Sequence, residues 1–256
     1  MPFDVTWLRS QMPDRRIEWH NLIDSTMIEA SRLAAAGAPS GTVVGAEEQT
    51  AGQGRHGRTW HSEPGSGLYV SIILRRQFTP QTLPVVTLAL GLAVHEAILK
   101  ATDLACDLRW PNDVLLQSKK CAGILTQLEA STRSSAIIAG IGINVNHSSF
   151  PVELIAIATS LRLASGRVQS RERLLAELLA SVDTYCDLLE TQGRGPVIEM
   201  FARASSFVSG RRVCVDQDGS ELRGTTAGLT DSGFLTLRSD DGTNSVIVAG
   251  GVRPCS

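Results

Sequence analysis

"EEQTAGQGRHGRTW" runs from Glu47 to Trp60 and contains a literal G-x-G-x-x-G at Gly52, Gly54 and Gly57. That spacing marks dinucleotide-binding folds, but only where a strand leads in and a helix leads out. "TVVGAEE" (Thr42–Glu48) is short, β-branched and apolar, as an incoming strand should be. No helix follows. "RTWHSEPGSG" carries Pro64, Gly65 and Gly67, all poor helix formers, and "LYVSIIL" then reads as another strand. An acidic residue to hold a ribose is also missing, because "SIILRRQF" occupies that position. The pattern therefore excludes a Rossmann nucleotide site. It leaves a loop with three glycines, Gln49, Arg55, His56 and Arg58. Such a loop can wrap phosphates with amides and guanidinium groups, or be a solvated arginine loop.

The 256 residues suffice for one large domain or one plus a small one. Hydrophobic residues make up 43%, charged residues 20%, and the net charge is −2, so any anion site must be local. "LPVVTLALGLAVHEAIL" and "SAIIAGIGINV" read as too short or interrupted to span a bilayer, and no signal-peptide core opens the chain. Five cysteines without a C-x-x-C read as scattered small apolar residues of a reducing cytoplasm. The five histidines lack an H-x-x-x-H pair, so no metal site is expected.

Outward from the loop, "RIEWHN" reads as an opening strand. "STMIEASRLAAAG" reads as a helix with Thr26 and Glu29 at capping-box spacing. Thr82–Lys100 is apolar nearly all round and predicts a buried helix. "CDLRWPNDVLLQSKKCAGILTQLEA" predicts strands joined by tight turns, and "SAIIAGIGINVN" a buried strand. Ser170–Leu189 has helical periodicity, and a shorter helix follows around Pro196–Ala204. From Ser209 onward short strands alternate with Gly and Asp turns, the pattern of a small β-barrel, which sets a boundary near residue 207. The expected units are 1–207 and 208–256.

Four segments hold polar residues that a core would not choose. Ser25 and Thr26 in "DSTMIEA" sit at a helix start, where capping alone would explain them. The glycine–arginine loop is the second. Asn112 and Asp113 in "RWPNDVLL" are also ordinary turn residues. In "KKCAGIL", lysine enters an apolar run beside Ala122 and Gly123, whose small side chains leave room for a ligand. Composition does not separate Lys119 from Lys120. No P-loop, G-x-S-x-G or Cys–His pairing is present.

In order and spacing, "DST", "EEQTAGQGRHGRTW", "GLYVSIIL", "RWPNDV", "KKCAGILTQ", "GIGINVN" and "ATSL" resemble the biotin protein ligases, or biotin–[acetyl-CoA-carboxylase] ligases. The resemblance covers roughly Asp24 to Leu161. It implies an α+β fold, a mixed sheet with helices like that of class II aminoacyl-tRNA synthetases, followed by a small SH3-like β domain.

The resemblance also implies roles. Ser25, Thr26 and Gln49 would hydrogen-bond the ureido ring of biotin, with Met27 where Asn is common and Gln53 where Arg is common. Gly52, Gly54 and Gly123 would give the biotin close backbone approach. Arg55 and Arg58 would close over the adenylate, and Trp60 would stack on adenine. Arg109 stands in place of the usual Lys before W-P-N-D. Asn112 and Asp113 would help place nucleotide and Mg²⁺, and Asn144 would lie near the nucleotide. Lys120 would bridge the biotin carboxylate and the α-phosphate. ATP and biotin are then the substrates, and biotinoyl-5′-AMP the intermediate. A lysine of a biotin carboxyl carrier protein is the acceptor. A monomer or homodimer is expected, without membrane or DNA partners, because only some twenty residues precede "DST". A DNA-binding repressor is the natural rival, since some members of that family carry an N-terminal helix-turn-helix domain, for which those twenty residues are too few. A nucleic-acid binder using "GQGRHGR" is a further alternative, without aromatic interleaving to support it.

Overall fold

The computed structural model describes residues 3–130, 135–217 and 220–255. Its first sheet contains β1 (Ile17–His20), β2 (Val43–Ala46), β3 (Gly67–Leu74), β4 (Asp107–Arg109), β5 (Asp113–Leu116), β6 (Lys119–Ala130) and β7 (Ser135–Asn144). Their spatial order is β1-β2-β3-β7-β6-β5-β4. The β1–β2 pair is parallel and the other pairs are antiparallel, so the sheet is mixed.

Period-2 alternation gives the central strands two different faces. On one face Leu68, Val70 and Ile72 of β3 join Ile137, Ala139, Ile141 and Ile143 of β7 in the main core. That core is covered by α3 (Leu83–Thr102), α5 (Arg171–Gln192) and α6 (Arg194–Arg203). Each fully buried Leu or Val there stabilises the fold by about 1.5–3 kcal/mol. On the other face α2 (Thr26–Ala35) packs Met27, Ala30, Leu33 and Ala34 against Val44, Ile73 and Ile138. Beyond the reach of α2, this second face carries the site. Two short helices, α1 (Val5–Gln11) and α4 (Leu161–Ser165), complete the α-helices among the described residues, beside single 3-10 turns at Arg55–Gly57 and Pro80–Thr82.

A second sheet comprises β8 (Ser209–Gln217), β9 (Ser220–Leu229), β10 (Leu235–Arg238), β11 (Asn244–Ile247) and β12 (Gly251–Pro254). It is antiparallel throughout, in the order β11-β10-β9-β8-β12. Its Val213, Val215, Leu235 and Ile247 continue the main core. The Trp110 indole N–H also donates to the Gly233 carbonyl at 2.9 Å, fastening the β4–β5 turn to this sheet.

Three expectations are corrected. Cys214 and Cys255 form a disulfide linking β8 to the end of β12, so the cysteines are not all unpaired. Pro80–Thr102 is long and apolar enough to cross a membrane by length and composition, yet its Val85, Leu88, Leu92 and Ile98 are buried in the core. The Thr26–Glu29 capping box does not form. Ser25 is the N-cap without a side-chain cap bond, and Glu29 pairs with Arg32 instead.

Candidate active site

A β-bulge decides which lysine faces the site. Val114 pairs with Ala122, whereas Leu115 pairs with Lys120, leaving Cys121 as the extra residue of β6. Simple alternation from Gly123 would place Cys121 and Lys119 on the site face. The bulge shifts the alternation by one, as bulges do when they re-aim a side chain. Cys121 and Ala122 both bury in the main core, and Lys120 reaches the cavity that Gly123 lines. Lys119 turns away from both cavities and donates to the Ile155 carbonyl at 2.8 Å. The backbone of Lys120 is fixed by the start of "ATSL" and the residue before it: its N–H donates to the Ile157 carbonyl, and the Thr159 N–H donates to the Lys120 carbonyl.

Lys120 Nζ lies 2.5 Å from Asp113 Oδ1, while Asp113 Oδ2 accepts from Arg109 at 2.7 Å. Burial raises the proton affinity of this carboxylate, but the two cations outweigh it and hold Asp113 below its ordinary range. Asn112 spends its side-chain amide on the Ile124 carbonyl and accepts from Arg55 Nη1 at 3.0 Å. Burial, with Arg58 nearby, pulls the Arg55 guanidinium below the usual arginine range, partly offset by Asp113. The glycine–arginine loop is thus a narrow turn rather than an open coil. Gly54 N–H donates to the Arg58 carbonyl at 2.7 Å and Trp60 N–H to the Gly52 carbonyl at 2.9 Å.

A chain of hydrogen bonds closes the other end of the site. Gln49 Oε1 accepts from the Thr26 N–H at 2.9 Å and the Thr26 hydroxyl at 3.1 Å. The buried Ser71 hydroxyl donates to Thr26 Oγ1 at 2.9 Å. Gln49 Nε2 donates to Ser62 at 3.2 Å. Ser25 Oγ is fully buried beside this chain and has no partner among the described residues. An orphaned buried hydroxyl costs about 1–3 kcal/mol, which marks the place as suited to a polar ligand.

Two adjoining cavities result. The inner one, about 50 Å³, is lined by Thr26, Met27, Gln49, Gln53, Gly123 and Gly140 among others. The outer one, about 260 Å³, is lined by Arg58, Arg109, Asp113, Asn144, Phe150 and Gly250 among others. Gly54, Arg55, Trp60, Asn112 and Lys120 line both. The Trp60 ring lies so close over the sheet that a Cβ at Gly142 would overlap its edge, and one at Gly123 would come within 2.9 Å. Only glycine permits that approach at either position. Met27 fills the inner end, where a Cβ at Gly140 would meet its sulfur at 2.5 Å.

Most of the residues singled out in the sequence therefore converge. Gly52 does not line either cavity; it packs against the Trp60 carbonyl, where a Cβ would come within 2.8 Å. Ser25 is buried beside the inner cavity rather than lining it. Sequence reasoning missed Ser71, Tyr69, His61, Phe150 and Gly250. Ser71 and Tyr69, the two polar side chains of the apolar run "GLYVSIIL", and His61 beside Trp60 were the available signals; Phe150 and Gly250 come from segments remote in the chain.

The family model for the biotin/lipoate A/B protein ligases matches residues 19–144. The biotin–[acetyl-CoA-carboxylase] ligase of Mycobacterium tuberculosis is 32% identical, over 98% of this chain and 94% of its own. The bifunctional ligase/repressor BirA of Bacillus subtilis is 35% identical, over 94% of this chain and 75% of its own. The solved biotin protein ligase from Aquifex aeolicus in complex with biotin and ATP superposes with a TM-score of 0.82 at 29% identity, covering 93% of this chain and 97% of that one. A mixed sheet carrying one bulge-directed lysine between two cavities, together with these relatives, makes this chain a member of the biotin protein ligase family and a biotin ligase enzyme.

Proposed function

We propose that the chain joins biotin to ATP as biotinoyl-5′-AMP, releasing pyrophosphate, and then passes the biotinoyl group to a lysine of a biotin carboxyl carrier protein. The observation that carries this reading is the common wall of the two cavities. A polar-ended inner cavity meets a cation-rich outer one, and Lys120 stands at their junction. Biotin has a ureido ring at one end and a carboxylate at the other. Thr26, Gln49 and the orphaned Ser25 hydroxyl suit the ring, which leaves the carboxylate directed toward Lys120.

The carboxylate oxygen attacks the α-phosphorus and the α–β phosphoanhydride breaks, so pyrophosphate leaves. Both reactants are anionic, and Lys120, Arg55 and Arg58 offset their repulsion where charge develops. The acceptor amine then attacks the mixed anhydride, AMP departs, and the amine loses its proton. Positioning suffices for both steps, so no covalent enzyme intermediate is required. Asn112 and Asp113 do not suit a protein-held Mg²⁺, because their side-chain oxygens are taken by Arg55, Lys120 and Arg109. An ion that accompanies ATP would be held by the triphosphate oxygens.

The inner cavity falls well short of the roughly 300–1,000 Å³ of ordinary ligand sites. Biotin entry therefore requires Trp60 and the Gln53–Thr59 turn to move. The test is pyrophosphate release with biotin, lipoate and octanoate, followed by transfer to a carrier domain. Biotin-specific release with labelling of one carrier lysine supports the reading. Release that does not depend on biotin overturns it.

A further inference from the structure

We propose that His61, Glu63 and His147 form a binding site for a divalent transition ion of the zinc type, at the edge of the outer cavity. One donor atom from each of the three lies within 4.8 Å of the others. His61 and Glu63 follow Trp60, and His147 follows β7, so the fold assembles a set that no sequence spacing announces.

The hydrogen bonds around His147 make the case. This imidazole is fully buried, with Nε2 3.3 Å from the Tyr69 hydroxyl and 4.0 Å from Glu63 Oε2. The Tyr69 hydroxyl accepts from the Glu63 N–H at 2.9 Å and donates to the Glu63 carbonyl at 3.1 Å. Its single proton is shared between the Glu63 carbonyl and His147 Nε2, whichever role that nitrogen takes. The other ring nitrogen, Nδ1, is buried without a partner among the described residues. Among the described residues the ring is contacted on one nitrogen only, and a cation held with His61 and Glu63 would give it a further partner.

Phe150 stacks on the His147 ring at 5.1 Å and fixes its plane. Among the described residues, Glu63 has no lysine or arginine partner to neutralise it. The trio Glu18, His20 and Glu29 differs on this point, because Arg16 and Arg32 already engage its two carboxylates.

Two imidazoles and one carboxylate are the donors that zinc prefers over magnesium or calcium. Three protein ligands leave a coordination position free for water or a phosphate oxygen. His61 also lines the outer cavity, so that position opens toward it. A bound ion would tie the segment after Trp60 to the segment after β7.

The experiment titrates the metal-free protein with Zn²⁺ alone by calorimetry, and with Co²⁺ by absorption spectroscopy. One site is expected, with a nitrogen–oxygen Co²⁺ spectrum lacking thiolate charge-transfer bands, and with Zn²⁺ raising the melting temperature. His61→Ala and Glu63→Gln, both at exposed positions, should fold and weaken binding beyond the roughly 10- to 100-fold that follows loss of an outer-shell partner. His20→Ala, in the other trio, should leave binding unchanged. The proposal is overturned by absence of binding, by a thiolate spectrum, or by unchanged affinity in both His61→Ala and Glu63→Gln. These readouts need neither biotin nor ATP, so they stand apart from the ligase reaction.

Discussion

Asp113 and Lys120 face each other across a bulged strand pair, with Oδ1 2.5 Å from Nζ. The second carboxylate oxygen holds Arg109, so one acidic side chain sets the position of two cations. Lys120 remains partly exposed, at 30% of its side chain, and so stays accessible to a ligand in either cavity.

Lys120→Ala should lower biotin-dependent pyrophosphate release by roughly 100- to 1,000-fold, the usual effect of losing one charge-stabilising donor. Lys119→Ala removes only an exposed bond to Ile155 and should alter stability by no more than about 0.5 kcal/mol. Equal loss of activity in the two purified variants would contradict the role assigned to the bulge.

Asp113→Asn should cost about 1–3 kcal/mol of stability, between the values for exposed and buried ion pairs. The Asp113 pKa is depressed in the folded state by Lys120 and Arg109. Its stabilisation is therefore complete above the unfolded-state value of about 4 and is lost as pH falls through the lower folded value. Urea unfolding followed between neutral pH and pH 3 should show a smaller acid loss in the variant than in the wild type. Parallel curves would rule out Asp113 as a source of that dependence.

Gly142→Ala forces a methyl group into the space of the Trp60 ring. Overpacking of this kind costs typically about 1–3 kcal/mol. Because Trp60 is the neighbour that clashes, Trp60→Ala in the same chain should recover much of that loss. Melting of the two single variants and the double variant gives the coupling directly. Additive losses would mean that the ring is not what the glycine accommodates.

Arg55→Gly removes the contact to Asn112 and a cation shared by both cavities. It should weaken retention of the reactive adenylate, so that bystander proteins become biotinylated. Streptavidin blotting of a mixture with unrelated proteins reads this out. Labelling no greater than with the wild type would remove the retention role.

Ser71→Ala breaks the link from β3 to Thr26 while leaving Lys120 untouched. Loss of one hydrogen bond of about 1 kcal/mol corresponds to roughly a fivefold rise in KM for biotin. Steady-state kinetics should show kcat nearly unchanged. A fall in kcat alone would place Ser71 elsewhere in the reaction.

The sequence by itself determined which loop to watch and which fold class to expect. Alternating apolar residues, Gly–Asp turns and the run from Gln49 to Trp60 are local signals, carried by neighbours in the chain. They sufficed to reject a Rossmann site and to anticipate the long core helix. Only the tertiary structure decided which lysine faces the cavity, because the extra residue Cys121 is defined by its pairing with β5. The same holds for Thr26, whose side chain is taken by Gln49 and Ser71 rather than by its own helix. Tyr69, Glu63 and His147 likewise meet through folds of the chain that no periodicity encodes. Propensity acts between neighbours in sequence, whereas a site's charges and orphaned hydrogen bonds are set by residues that the sheet brings together from far apart.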